Sequence, residues 1–406
     1  MLSVFHNDLG SVQKRIVEST FLHTRRVPLS SGNADKTTVM MLLSVLLIAC
    51  ANPQSSHGST RHAAETGTVD TGEDSHPNHG GDTSADTAVD EYVYHPPSMT
   101  ICDATEVVAH GDLCAIQPSR LDANARDQFA DDSVSDRNLG FGYHVIGFPP
   151  EGTTIKGVYL HFGGSMGRPY HQGTGTYPSH VILDEAMQAG HIAIQIAYHN
   201  RYAVNSAEEC VGATDVDNCA GDVRLEKITG IDHSTVVDTP EADAIIPRLH
   251  AVFSYLDAVG FALPLEAIVN GEINWGVLRI GGHSQGAGHA LYITKYWNSH
   301  HTCLLGGGFD VADAVPSLPA ENIADWILDT SAPVDVTKVQ ALLSVDDDAY
   351  DAFVHAYGIL GMEENVHWMS FSAATYQDSN GEEINGHSAV VKDPAYQAER
   401  HATCFE

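Results

Sequence analysis

The stretch Leu278-Arg279-Ile280-Gly281-Gly282-His283-Ser284-Gln285-Gly286-Ala287-Gly288-His289-Ala290 decides the reading of this chain. An apolar run from Trp275 to Ile280 reads as a buried strand. It is followed at once by Gly282-His283-Ser284-Gln285-Gly286, which fits G-x-S-x-G. A helix-compatible run, Ala290 to Trp297, comes next. Strand, tight turn and helix is the context in which that pentapeptide becomes a nucleophile elbow. The chain has 36 glycines, so the pentapeptide could match by chance. The flanking elements and the small residues Ala287 and Gly288 therefore carry the inference. Such a turn holds its serine in strained backbone geometry. A Cβ on either flanking glycine would collide with the strand or the helix.

Working outward, strand candidates alternate with helix candidates. Ile155 to Phe162, Ile192 to Tyr198, Leu304 to Gly306, Ala341 to Val345 and Val366 to Phe371 read as strands. Val181 to Gln188, Glu241 to Val259 and Gly286 to Asn298 read as helices, with Pro247 tolerable only near a helix start. This alternation predicts an α/β fold with a mainly parallel sheet covered by helices. Asn200 to Thr239 lacks strong periodicity. It reads as an excursion, at about 200–239, over the strand C-terminal edge and hence near the site.

A serine hydroxyl is a poor nucleophile at neutral pH and needs a base, which in turn needs an orienting group. In a strand–elbow–helix topology the chain order is serine, acid, histidine. His387, in Asn385-Gly386-His387-Ser388-Ala389, lies in a predicted loop after the last apolar strand and is the best base. His367 falls within a strand, His289 within the elbow helix, and His283 is poorly placed beside the serine. The strand Ala341 to Val345 ends in Asp346-Asp347-Asp348. Asp347 is favoured as the orienting acid because it sits just past the strand end. Asp346 and Asp348 are the alternatives. The oxyanion needs two donors. The backbone N–H of Gln285 is one, and Gly164 or Ser165, in the glycine-rich loop after an early strand, supplies the other.

His161-Phe162-Gly163-Gly164-Ser165-Met166-Gly167-Arg168-Pro169, Ile273-Asn274-Trp275 leading into the elbow, and Gly386-His387-Ser388 together resemble the α/β-hydrolase superfamily. The likeness is nearer to a poorly characterised bacterial group within it, and it covers roughly Gly157 to Asp393. It implies an α/β-hydrolase fold with an eight-stranded, mostly parallel sheet flanked by helices, and a Ser284–Asp347–His387 triad. The reading is a serine hydrolase acting on an ester-like bond of a small-molecule or lipid-like substrate. A non-catalytic surface binding protein on the same fold, and a peptidase or lipase with the same triad, are the rival readings. No Walker loop or dinucleotide fingerprint is present, so no cofactor is implied, and no metal site is expected.

The balance of 53 acidic against 20 basic residues gives a formal charge of −33. That argues against nucleic acid as a partner, since phosphate binding needs a basic face, and it repels an acidic substrate on approach. Arg25, Arg26 and Lys36 precede an apolar run, Val39 to Ala49, that suits a signal segment and is too short to span a bilayer. The run ends in Leu47-Ile48-Ala49-Cys50, which looks like a bacterial lipobox. Residues 1–50 are thus expected to direct export and, through acylated Cys50, to anchor the protein to a membrane. Residues 51–91 are polar and read as a flexible tether, and 92–406 as the folded domain. Of 7 cysteines, removing Cys50 leaves an even set. Sequence proximity favours Cys102–Cys114 and Cys210–Cys219, leaving Cys303–Cys404.

Overall fold

The computed structural model describes residues 94–127, 141–206, 209–211, 213, 217–259, 261, 266–311 and 322–406. The predicted signal segment, Cys50 and the tether 51–91 lie outside these residues. One nine-stranded sheet organises the chain. Its strands are β1 Ala104–Val108, β2 Gly111–Ile116, β3 His144–Phe148, β4 Gly157–Phe162, β5 His191–Gln195, β6 Leu278–His283, β7 His301–Leu305, β8 Val339–Ser344 and β9 Trp368–Phe371. The spatial order is β1-β2-β3-β5-β4-β6-β7-β8-β9. From β5 through β9 every pairing is parallel, and β1, β2 and β3 join antiparallel at one edge.

The count is nine strands, against the eight expected. The three antiparallel strands had no clear sequence signal. β1 is a half-exposed edge strand with alternating burial, and β2 and β3 are short. The parallel strands β4 and β5 are buried throughout, as strands covered on both faces must be. β6 begins at Leu278 rather than Trp275. Trp275–Val277 form a 3-10 turn whose ends bind the His300 N–H through the carbonyls of Trp275 and Leu278. An apolar run by itself does not separate such a turn from a strand.

Seven helices matter here: α1 His180–Gln188, α2 Cys219–Thr229, α3 Ile245–Ala258, α4 Gln285–Trp297, α5 Tyr350–Leu360, α6 Gly386–Lys392 and α7 Gln397–Cys404. Two apolar cores result, one per face of the sheet. Helices α2, α3, α4 and α5 bury Val223, Leu249, Phe253, Leu291 and Phe353 with Leu160 and Ile280. Helices α1, α6 and α7 bury Leu183, Val390 and Cys404 with Tyr159, Ala193 and Leu305. Pro247 is the third residue of α3, where its missing N–H costs nothing.

Helix α2 lies inside the stretch read as lacking periodicity. It buries Arg224, Glu226 and Lys227 beside Val223 and Ile228, so its inward face is half ionic and shows no apolar stripe. Glu226 accepts the backbone N–H groups of His233, Ser234 and Thr239 and holds the following loop against the helix. Lys227 pairs with Glu209 at 2.5 Å. Three disulfides close the fold: Cys102–Cys114, Cys210–Cys219 and Cys303–Cys404. The second fastens the start of α2, and the third ties β7 to the end of α7. No helix among the described residues is long and apolar enough to cross a membrane.

Candidate active site

Ser284 stands between β6 and α4 with φ 56° and ψ −122°, a conformation rarely adopted by residues other than glycine. The glycines explain how the turn closes. A Cβ on Gly282 would lie 2.2 Å from the Gly286 carbonyl carbon, and one on Gly286 would lie 2.1 Å from the Phe162 carbonyl oxygen. Both neighbours are backbone and cannot yield. The Ser284 N–H donates to the Leu305 carbonyl at the end of β7, fixing the turn to the sheet.

Of the three consecutive aspartates after β8, only Asp347 is buried. Its Oδ1 accepts the Ala349 N–H at 2.9 Å, and its Oδ2 lies 2.5 Å from His387 Nδ1. The Asp346 carboxylate is taken by the hydroxyls of Tyr376 and Ser372 instead. Those hydrogen bonds hold it below the usual carboxylate range. Asp348 is exposed. His387 is the second residue of α6, not part of a loop as its sequence suggested, and Asn385 caps that helix through the Ser388 N–H. A Cβ on Gly386 would lie 2.5 Å from Ser344 Oγ, so glycine there lets the helix start approach the end of β8.

With Nδ1–H given to Asp347, the lone pair of His387 is on Nε2. The Ser284 hydroxyl and His387 share a cavity without a hydrogen bond between them. Such bonds often close only around a bound substrate.

His283 is not a base. Its Nε2–H donates to the His387 carbonyl at 2.8 Å, with the two rings 4.8 Å apart. Burial, reinforced by the nearby His387, pushes it down to about 3, so it stays neutral. Sequence reasoning missed this grip on the backbone of His387, which joins residues 104 apart. His289 is buried with its ring edge-on to Tyr198.

The three candidate oxyanion donors also meet here. Gln285 is the first residue of α4, where backbone N–H groups have no helical acceptor. Gly164 lies against Ser284, since a Cβ there would be 3.3 Å from the serine Cβ. Ser165 Oγ donates to Gln285 Oε1 at 2.9 Å and ties the two arms together. The loop is shaped from β5's end. Tyr198 OH donates to the Gly163 carbonyl, and Asn200 Nδ2 donates to the carbonyls of Gly164 and Gly167 at 2.8 Å each. Tyr198 and Asn200 follow a strand paired in parallel with β4. The sequence shows that they follow a strand, not which strand is its neighbour.

A cavity of about 200 Å³ opens beside Ser284, with Ala203, Val204, Phe309 and Phe353 in its wall. Arg224 and Asp310 also line it. Arg224 holds Asp310 through two N–H groups and reaches the Gln285 carbonyl at 3.2 Å, while Trp326 Nε1 donates to Asp310 at 2.7 Å. Gly288 makes room for this guanidinium, because a Cβ there would lie 2.1 Å from Arg224 Nη2. Among the described residues no cluster of three His, Cys, Asp or Glu side chains could hold a metal ion.

A mostly parallel sheet, helices on both faces and a serine on a strained strand-to-helix turn make this an α/β-hydrolase fold. No protein-family model matches the chain, and no curated protein sequence does. Solved structures similar to it include a ferulic acid esterase (12% identity, 75% of this chain and 99% of that one, TM-score 0.39). Another is an S-formylglutathione hydrolase from Agrobacterium tumefaciens (10%, 67% and 89%, TM-score 0.33). A third is a cold-adapted esterase from an Arctic intertidal metagenomic library (13%, 74% and 97%, TM-score 0.34).

Proposed function

We propose that this protein is a serine hydrolase that cleaves an ester-like bond through an acyl-enzyme. The observation that carries the reading is the placement of Ser284, at φ 56° above the sheet, beside an imidazole held by a buried carboxylate. Ser284 Oγ attacks the ester carbonyl carbon while His387 Nε2 takes its proton. Asp347 holds the ring by Nδ1 and stabilises the imidazolium that forms. The N–H of Gln285, with that of Gly164 or Ser165, meets the charge developing on the carbonyl oxygen. Collapse returns the proton from His387 to the leaving alcohol. Water, activated by the same imidazole, then releases the acid.

Export fits the chemistry of the domain. Three disulfides are what an oxidising compartment permits. In this reading residues 1–50 carry the export signal, Cys50 takes the lipid, 51–91 form the tether and 92–406 the catalytic domain.

The test is covalent labelling. A fluorophosphonate should modify the full-length chain at Ser284 and should not modify Ser284→Ala. The same substitution should lower ester turnover by at least about four orders of magnitude without changing the circular dichroism spectrum. A folded Ser284→Ala that keeps near-normal turnover would remove Ser284 from the chemistry. A wild-type chain that neither labels nor turns over esters would be a binding protein on this fold.

A further inference from the structure

A second cavity, of about 260 Å³, shares Ser165, Ser284 and His387 with the first but is otherwise built from different residues. Its composition is unlike the rest of the chain. Lys392 and Arg168 line it and no aspartate or glutamate does, in a protein whose formal charge is −33. Lys392, the last residue of α6, forms no ion pair among the described residues. Asp378 on a neighbouring turn feels its charge without reaching it.

His161 and Gln195 also line the cavity. They are partners in the β4–β5 register, and they are 0% and 2% exposed. His161 Nε2 and Gln195 Oε1 are buried with no hydrogen-bond partner. The imidazole nitrogen can donate whereas the amide oxygen only accepts, so of the two it is His161 Nε2 that leaves an unmet donor for an anion. His161 Nδ1 lies 3.2 Å from the Tyr159 hydroxyl. When that hydroxyl donates, the Nε2 proton is an unused donor, and the Gln195 amide adds further donors.

Resting on the reading of Ser284 as nucleophile, we propose that this cavity is a subsite for a carboxylate carried by the ester substrate. Lys392 supplies the charge, and Gln195 and His161 supply neutral hydrogen bonds. Arg168 already has a partner of its own, so one aliphatic ammonium, Lys392, is left beside the uncharged donors, which suits a singly charged group. The first cavity, with Ala203, Val204, Phe309 and Phe353 in its wall and its one acid already paired to Arg224, suits an uncharged arm of the same substrate. The net negative field of the molecule does not oppose this at contact. Fields of exposed charges fade over a Debye length of about 8 Å in physiological salt, whereas the Lys392 contact is direct.

The experiment compares three short esters on the full-length chain in a pH-stat: ethyl butyrate, ethyl hydrogen succinate and carboxymethyl butyrate. The last two carry the carboxylate on the acyl and the alcohol side. One of them should exceed ethyl butyrate in kcat/KM by roughly tenfold or more, through KM, as a charge-assisted contact implies. Lys392→Gln should reduce that ratio to near one, and Lys392→Arg should keep most of it. Gln195→Leu should lower it several-fold. Equal kcat/KM for all three esters in the wild type would overturn the subsite, as would a preference that survives Lys392→Gln. Absence of turnover of every ester, or turnover that persists in Ser284→Ala, would instead overturn the assignment of the nucleophile.

Discussion

Three aspartates follow β8 in a row, and their surroundings give them different work. The Asp347 carboxylate is buried, bound on one oxygen by the Ala349 N–H and on the other by His387. Asp346 spends its carboxylate on Tyr376 and Ser372, and Asp348 faces solvent. Asp347→Asn should therefore cut kcat by about 10⁴, because the wrong tautomer of His387 is then favoured. Asp346→Asn should change kcat by no more than a few-fold. Comparing kcat for the two variants on one ester decides the matter, and a larger loss in Asp346→Asn would hand the role to that residue. Counting past the strand end favours Asp347 among the three. It could not show which of them is buried, since burial depends on helix α6 arriving from about forty residues further on.

At the scale of the element, the turn around Ser284 is held by glycines whose neighbours are backbone. Gly282→Ala and Gly286→Ala each place a Cβ within 2.2 Å of main-chain atoms, so the strand and the helix must part. Either variant should lose soluble, folded protein, or fold with its labelling by fluorophosphonate abolished. Gly276→Ala is the control, its nearest neighbour being Asn274 Oδ1 at 3.5 Å, and it should behave as the wild type. Normal yield and labelling in Gly286→Ala would mean that the strand and the helix can part there without displacing Ser284. This element was legible because its steric requirements fall on residues two apart. Helix α2 was not, because Arg224, Glu226 and Lys227 occupy its buried face. Strand β1 was not, because an edge strand exposed on one side needs no sustained apolar run.

At the scale of the whole molecule, histidine burial sets the response to acid. Burial pushes His161, His199 and His283 down to about 3, and His191 and His301 to about 4. It holds His144 and His289 well below the ordinary value. The folded values thus lie below the unfolded value of about 6.5. As pH falls through 6.5 the unfolded chain takes up protons that the folded chain refuses, so stability is full above that pH and drains away toward 3–4. Each such histidine contributes up to about 1.4 kcal/mol per pH unit in that window. The urea midpoint should fall steadily between pH 7 and pH 5, before carboxylates protonate. A midpoint that stays flat over that range would show that these side chains are open to solvent.

What the sequence determined by itself is local. The strand–turn–helix around Ser284, its flanking glycines and the alternation of apolar runs are set by sterics and periodicity among near neighbours, so they can be read from order alone. Proximity also pointed to the two short disulfides, and elimination to Cys303–Cys404. Only the tertiary structure decided the rest. Asp347 meets His387 across 40 residues, His283 grips the His387 carbonyl across 104, and Arg224 binds Asp310 across 86. His161 and Gln195 line one cavity because β4 and β5 are neighbours in the sheet. Contacts of this kind depend on which strands pair and which loops converge at their ends. That choice is made by burial over the whole sheet, and no stretch of the chain carries it alone.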